Sequence, residues 1–255
     1  MNNEQVRRIL IIRLSSMGDI ILTTPFIELA AKSFPLARIY FCTKEKFTSL
    51  LRPNPNIHKV IKAKNDLNYS ALKDLRQLIK MSNYNLIIDL QNNLKSIYLR
   101  SIQDAKVHVF IKHSLKKFLL VNFKINLLKD VKPVTERYKE TINRYVSGDD
   151  LLKITLPELY TDPVSERSIE NMLDSLNITK ANRLICIPAV SGHFTKTYMA
   201  ENYAHIINNY PDNDAVFFLT GRGKDSANIQ LIRTLTRSKI VYDLCDKLEI
   251  EDLIS

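Results

Sequence analysis

Two short stretches carry residues whose types and spacing could do chemistry. The first is Arg8–Pro25, RILIIRLSSMGDIILTTP. Its apolar run Ile9–Ile12 is closed by Arg13, passes through the small polar turn Leu14-Ser15-Ser16-Met17-Gly18, and resumes as a second apolar segment opened by Asp19. That order predicts strand, loop and helix. In an open parallel sheet, ligands sit at the loop after the first strand, and a helix start there offers unpaired backbone N–H groups to an anion. Asp19 would stand at the mouth of such a site. On local pattern alone it better suits a cap or first-turn carboxylate that complements the helix dipole. The second stretch, Ile187–Lys196 (IPAVSGHFTK), follows a predicted strand and precedes a predicted helix. Small residues such as Ser191 and Gly192 let backbone amides approach a phosphate, and Lys196 adds a positive charge near the helix start. A lysine on an ordinary strand-to-helix loop would look the same.

Other motifs fail when their chemistry is checked. Gly221-Arg222-Gly223 has Ser226 where a dinucleotide fingerprint needs its third glycine. Gly223-Lys224 has Phe218 in place of the leading glycine of a phosphate loop and Asp225 in place of its magnesium-holding hydroxyl. Asp212-Asn213-Asp214 has the spacing of a metal-holding carboxylate pair, but it lies after Pro211 between a helix and a strand and reads as an exposed turn. No two of the five histidines stand three or four residues apart, so no metal centre is expected.

The elements that must position these stretches alternate along the chain. Ile9–Arg13, Arg38–Cys42, Lys59–Ile61, Leu86–Asp89 and Lys106–Phe110 read as strands, and Asp19–Ser33, Lys44–Leu51, Ser70–Ser82 and Val134–Val146 as helices. This predicts an α/β fold with a doubly wound parallel sheet. A break near Ser147-Gly148-Asp149-Asp150, with Pro157 and Pro163 beyond it, reads as a linker. The expected domains are 1–160 and 161–255. The second begins with a helix over Val164–Leu176. It continues as strand Leu184–Pro188, helix Met199–Tyr210, strand Ala215–Leu219, helix Lys224–Ser238 and strand Ile240–Leu244, with Leu248–Ser255 starting another helix.

With 255 residues, 45% hydrophobic and 25% charged, the chain suits one large or two ordinary globular domains. Cys42, Cys186 and Cys245 are odd in number and lack Cys-x-x-Cys spacing, which suits a reducing compartment. Arg13 and Asp19 interrupt the first apolar run, so neither a signal peptide nor a spanning helix fits, and a cytoplasmic location is expected. The net charge of +10 suits nucleic acid, an anionic membrane face or a phosphorylated small molecule. Lys106–Lys132 interleaves Lys112, Lys116, Lys117 and Lys124 with Phe118, Leu119 and Phe123. That pattern predicts an amphipathic surface helix plus a strand with solvated lysines, or contact with anionic lipid.

The chain resembles glycosyltransferase family 9, the ADP-heptose:lipopolysaccharide heptosyltransferases. The likeness rests on Arg13–Pro35 (RLSSMGDIILTTPFIELAAKSFP), Asp89-Leu90-Gln91, Glu136-Arg137-Tyr138, Lys196–Met199, Phe217–Asp225 (FFLTGRGKD) and Asp243-Leu244-Cys245. It implies two Rossmann-like domains of the GT-B type, the first binding acceptor and the second binding nucleotide-sugar donor. By position, Asp19 matches the general base, and Ser15, Ser16 and Gly18 the acceptor-side loop. Lys196 matches the phosphate-contacting lysine, with Ser191 and Gly192 where small residues touch donor phosphates. The implied reaction is inverting, metal-independent transfer of a heptose or similar sugar from an ADP-sugar to the lipopolysaccharide inner core. No cofactor is implied. The implied partners are the donor, a phosphorylated lipid A or core acceptor and, peripherally, the anionic inner face of the cytoplasmic membrane.

The family's Asp-Ser/Thr-Gly-Pro-x-His segment has no counterpart up to Ser255, so the second domain is expected to be incomplete. Two rival expectations stand beside this one. An inactive relative would lack the donor-binding end. A basic nucleic-acid-binding α/β protein would use the charge, although no RNA-recognition or helix-turn-helix signature and no tryptophan support it.

Overall fold

The computed structural model describes residues 5–101, 104–128, 131–146, 156–179, 181–189, 198–221, 223, 226–237 and 239–255. The chain divides into two compact units, Met1–Tyr160 and Thr161–Ser255. The described residues of unit one include five strands, β1 (Arg8–Ile12), β2 (Arg38–Lys44), β3 (Lys59–Ala63), β4 (Leu86–Asp89) and β5 (Lys106–Val109). They form one sheet in the order β3-β2-β1-β4-β5, and every pairing is parallel. Its helices are α1 (Met17–Ile21), α2 (Thr24–Ser33), α3 (Tyr69–Met81), α4 (Leu94–Arg100), α5 (Ser114–Phe123) and α6 (Val134–Lys139).

The central strands are apolar on both faces because helices cover both. Leu10 and Ile12 pack with Tyr40, Cys42, Ile87 and, from α3, Leu75 and Ile79. Ile9 and Ile11, fixed on the opposite face by the two-residue strand period, are fully buried as well. Burying each such side chain contributes on the order of 1.5–3 kcal/mol, so this middle pair anchors the unit. Cys42, in the same core, is a free thiol pushed up to about 12 by burial.

The helix expected over Asp19–Ser33 is two helices. An unbroken helix would need the residue 25 amide to satisfy the Ile21 carbonyl, and Pro25 has none. The Thr24 hydroxyl donates to that carbonyl instead, at 2.9 Å, and Thr23 donates to Ile20 at 2.6 Å. Lys44–Leu51 forms only a 3₁₀ turn, Glu45–Phe47. The expected Val134–Val146 helix stops at Lys139 and gives way to 3₁₀ turns over Glu140–Tyr145, bent at Ile142. The pattern reading missed α4, a short helix whose Asn93 cap accepts the Ser96 amide at 3.0 Å.

Unit two has β6 (Arg183–Pro188), β7 (Ala215–Thr220) and β8 (Ile240–Asp243) in parallel, in the order β6-β7-β8. α7 (Pro163–Ser175) starts at Asp162, whose carboxylate accepts the Val164 and Ser165 amides at 3.0 and 3.1 Å. Its Met172 and Leu173 pack with Val216 and Phe218. α8 (Ala200–Asn208) and α9 (Ser226–Leu235) share the cluster containing Phe217 and Leu219, through Ile207, Ile229 and Ile232. The helix expected over Leu248–Ser255 is instead a set of turns. The Asp252 side chain takes the Glu249 amide at 2.9 Å, and the backbone bonds from Leu253 and Ser255 are long, at 3.3 Å. Asp212–Asp214 is an exposed turn, with Asp212 accepting the Asp214 amide at 2.9 Å.

Candidate active site

Strand order reverses between β1 and β4, where Ile12 pairs with Asp89. The loops leaving the carboxyl ends of these two strands therefore flank the switch point at which doubly wound sheets bind ligands. They are tied together by side chains. The Gln91 amide oxygen accepts the Leu14 and Ser15 backbone N–H groups at 3.0 and 3.2 Å. Gln91 is itself placed by the fully buried Asp89, which accepts the Gln91 and Asn92 amides at 2.9 and 2.7 Å through Oδ1. Asp89 Oδ2 takes the Ser96 hydroxyl at 2.8 Å and Arg100 at 3.0 Å. Each of its contacts is local or from α4, which marks Asp89 as the loop's structural post.

Asp19 sits above this post, in the first turn of α1. Its Oδ2 accepts the Ser16 hydroxyl at 2.8 Å and the Ser16 amide at 3.2 Å, and lies 2.6 Å from Arg13 Nη2. Among the described residues, no hydrogen bond or ion pair reaches Oδ1. Burial pushes the carboxyl upward, but the two Ser16 bonds and the Arg13 guanidinium outweigh it and hold Asp19 below the ordinary aspartate range. Its side chain stays 38% exposed. The site thus presents an ionised carboxylate with one oxygen occupied by the protein and the other available to a hydroxyl group.

Arg13 is the residue that pattern reading missed. It is buried, and its Nη1 donates to the Leu90 carbonyl at 2.7 Å, bridging the β4 loop to Asp19. The available signal was a cation closing an apolar strand six residues before the acid. Tyr138 is fully buried below it, with its ring 5.9 Å from the guanidinium carbon and 4.8 Å from the Phe110 ring. Arg137 donates to the Ile111 carbonyl at 2.7 Å and lies over Phe110. Arg137 therefore secures the exit of β5 and Tyr138 the underside of Arg13, while Glu136 pairs with Lys139 at 3.3 Å. Lys112 follows that exit and feels the charges of both Arg13 and Asp19. Its own partial burial first, and then Arg13, pull its titration down.

Ser15 and Ser16, on the loop after β1, and Gly18 and Asp19, in the first turn of α1, come together. A Cβ added at Gly18 would meet no atom within 4 Å among the described residues, so packing does not demand the glycine. Ser191, Gly192 and Lys196 lie outside the described residues. A groove of about 710 Å³ lined by Lys73, Arg76, Lys80 and Tyr98 belongs to the outer side of α3 and α4 and shares no residue with this loop.

Fold and site together define a doubly wound α/β protein with a carboxylate-centred site at its sheet's switch point. The sequence profile described as glycosyltransferase family 9 (heptosyltransferase) matches residues 72–255, and the chain belongs to that family. The matched residues begin after Asp19. The chain is 28% identical over 200 residues to lipopolysaccharide heptosyltransferase 1 of Campylobacter coli, a match covering 75% of this chain and 57% of that protein. The chain thus spans under two thirds of that relative's length. In three dimensions it is similar to a family 9 glycosyl transferase from Veillonella parvula, with a TM-score of 0.82, 20% identity, and coverage of 99% of this chain and 73% of that one. It is also similar to ADP-heptose lipopolysaccharide heptosyltransferase II of E. coli, with a TM-score of 0.72, 15% identity, and coverage of 96% and 75%. At these identities the structural likenesses speak for the fold.

Proposed function

We propose that the chain acts in lipopolysaccharide core synthesis, transferring a heptose or similar sugar from an ADP-sugar to the inner core with inversion and without a metal. The observation that carries this reading is Asp19, ionised and with no partner at Oδ1 among the described residues, at the switch point of a family 9 fold. The open space at Gly18 leaves room for an acceptor beside it.

An acceptor hydroxyl oxygen forms the new bond to the anomeric carbon as the bond from that carbon to the diphosphate oxygen breaks. Asp19 Oδ1 takes the hydroxyl proton, and the diphosphate leaves with the bonding pair. Because Asp19 is a weak base, it accepts the proton as the carbon–oxygen bond forms rather than generating a free alkoxide, and such assistance is worth on the order of 10²–10⁴-fold. Lys196 and the amides of the Ser191-Gly192 turn are assigned to the leaving diphosphate. Each donor there contributes roughly 3 kcal/mol where water is excluded. On this reading unit one takes the phosphorylated lipid acceptor and unit two the donor, in the GT-B manner, at the inner face of the cytoplasmic membrane.

The test is ADP release from ADP-heptose with a deacylated core acceptor, for the wild-type chain and for Asp19→Asn. Asn keeps the size of Asp but cannot take the proton, so kcat is expected to fall at least about 10²-fold with the melting temperature nearly unchanged. Equal turnover would remove Asp19 from the reaction. Absence of turnover in the wild type with excess donor would favour a non-catalytic relative.

A further inference from the structure

α5 and its flanks form a surface that the fold does not use. No residue of α5 is buried. Leu115, Phe118, Val121 and Phe123 are 54–70% exposed, with Ile111 at 75% just before the helix and Ile125 at 48% just after it. A soluble surface seldom leaves so many large apolar side chains uncovered in one segment. The same segment is also uniformly basic. Between Asp104 and Asp130 the sequence holds six lysines and no acidic residue. Beside α5 opens a pocket of about 530 Å³ where His113, Lys116, Lys132 and Arg137 converge, and its one acid, Glu140, is paired with Lys132 at 2.7 Å.

What covers this surface must be apolar where the leucines and phenylalanines stand and anionic where the lysines stand. A second copy of the chain would bring the same lysines against each other with no acid to meet them. A nucleic acid would meet the lysines and leave the apolar side chains in water. A bilayer containing anionic lipid offers both chemistries at the depth over which an interfacial helix lies. We propose that α5 with its flanks docks on an anionic bilayer, Leu115, Phe118 and Val121 entering the headgroup boundary and the lysines contacting headgroup phosphates. This deepens the membrane-side reading given above and rests on it for the acceptor's location, but it is tested without any sugar substrate.

The chain has no tryptophan, so Phe118→Trp makes a sole indole reporter. With vesicles of phosphatidylcholine mixed equally with phosphatidylglycerol, the indole emission is expected to shift to the blue and the protein to sediment with the vesicles. Binding to phosphatidylcholine alone should be at least about tenfold weaker. Replacing Lys116 and Lys117 by Gln should weaken binding about 5-fold per lysine. The combined Leu115→Ser, Phe118→Ser and Val121→Ser chain should lose at least about tenfold while keeping its melting temperature, since those side chains are exposed. The proposal is overturned by an unshifted indole in pelleted protein, by unchanged binding of the serine chain, or by self-association that those serines abolish with no vesicle binding. Vesicle binding without sugar transfer would leave this inference standing and remove the proposed function; transfer without vesicle binding would do the reverse.

Discussion

The Arg13 guanidinium holds the Asp19 carboxylate at 2.6 Å while its other terminal nitrogen holds the Leu90 carbonyl at 2.7 Å. One buried side chain thereby orients the acid, adds to the two Ser16 bonds that hold it ionised, and joins the loops after β1 and β4. The arrangement trades base strength for certainty of charge state. A carboxylate already below the ordinary aspartate range is deprotonated at every pH near neutrality, so its capacity to accept a proton depends on Oδ1 being placed against the hydroxyl.

The first prediction follows from that pairing. With the native carboxyl held down relative to the unfolded chain, its stabilising contribution is complete above the unfolded value and is lost as pH falls through the lower native one. In Arg13→Met, burial remains and the guanidinium is gone, so the acid limb of kcat/KM should move to higher pH than in the wild type. The Leu90 carbonyl also loses its donor, at a cost of about 1–3 kcal/mol. Superimposable pH profiles for Arg13→Met and wild type would show that Arg13 does not tune Asp19.

Gln91 supplies the second. Its amide oxygen is the acceptor for the Leu14 and Ser15 amides. Gln91→Leu strands a buried donor, so stability should fall by about 1–3 kcal/mol. KM for the acceptor should rise at least about tenfold as the loop loses its register. Gln91→Glu keeps an acceptor oxygen in the same place and should recover most of the loss. An unaltered KM in the leucine chain would separate the loop's position from acceptor binding.

Much of unit one was legible because its physics is local. Ile9–Ile12 and Leu86–Ile88 are short apolar runs bounded by polar residues, and only a strand covered on both faces suits them. Asp19's place as a first-turn carboxylate of α1 was legible from the strand, turn and helix order, and its bonds to Ser16 are of that kind. Arg13 and Gln91 were not, because each acts across the switch point on a residue about 77 positions away, and no periodicity encodes that distance. α4 escaped because its seven residues hold too few turns to show a period, and its start is set by Asn93 and Ser96 capping each other. The α5 segment was expected to be an amphipathic surface helix or a contact for anionic lipid. Leu115, Phe118, Val121 and Phe123 stay exposed on it and no residue of the helix is buried, a degree of exposure that residue pattern does not encode.

A third prediction concerns Lys196. If the lysine meets donor phosphate, Lys196→Ala should weaken ADP binding by about 1.5–3 kcal/mol, the range of a charge-assisted hydrogen bond. Titration calorimetry giving equal ADP affinity in both chains would place the lysine elsewhere.

The last prediction contrasts the two sheets. β1 is buried at four of its five residues and β4 at all four, and each is paired on both sides. Among the described residues of unit two, β7 alone has that environment. β6 and β8 are both edges, half or more of the β6 residues are exposed, and Ile240 of β8 is 53% exposed. Opening an edge strand with so little apolar contact requires less free energy than opening a central buried one. Amide exchange should therefore be slowest in Ile9–Ile12, Leu86–Asp89 and Val216–Leu219, and at least about tenfold faster in Leu184–Ile187 and Ile240–Asp243. Exchange that is fast throughout β7 as well would mean that unit two opens as a whole, with its central strand no better protected than its edges. Equal protection in β6, β7 and β8, matching that of β1, would mean that edge exposure does not set local stability in this chain.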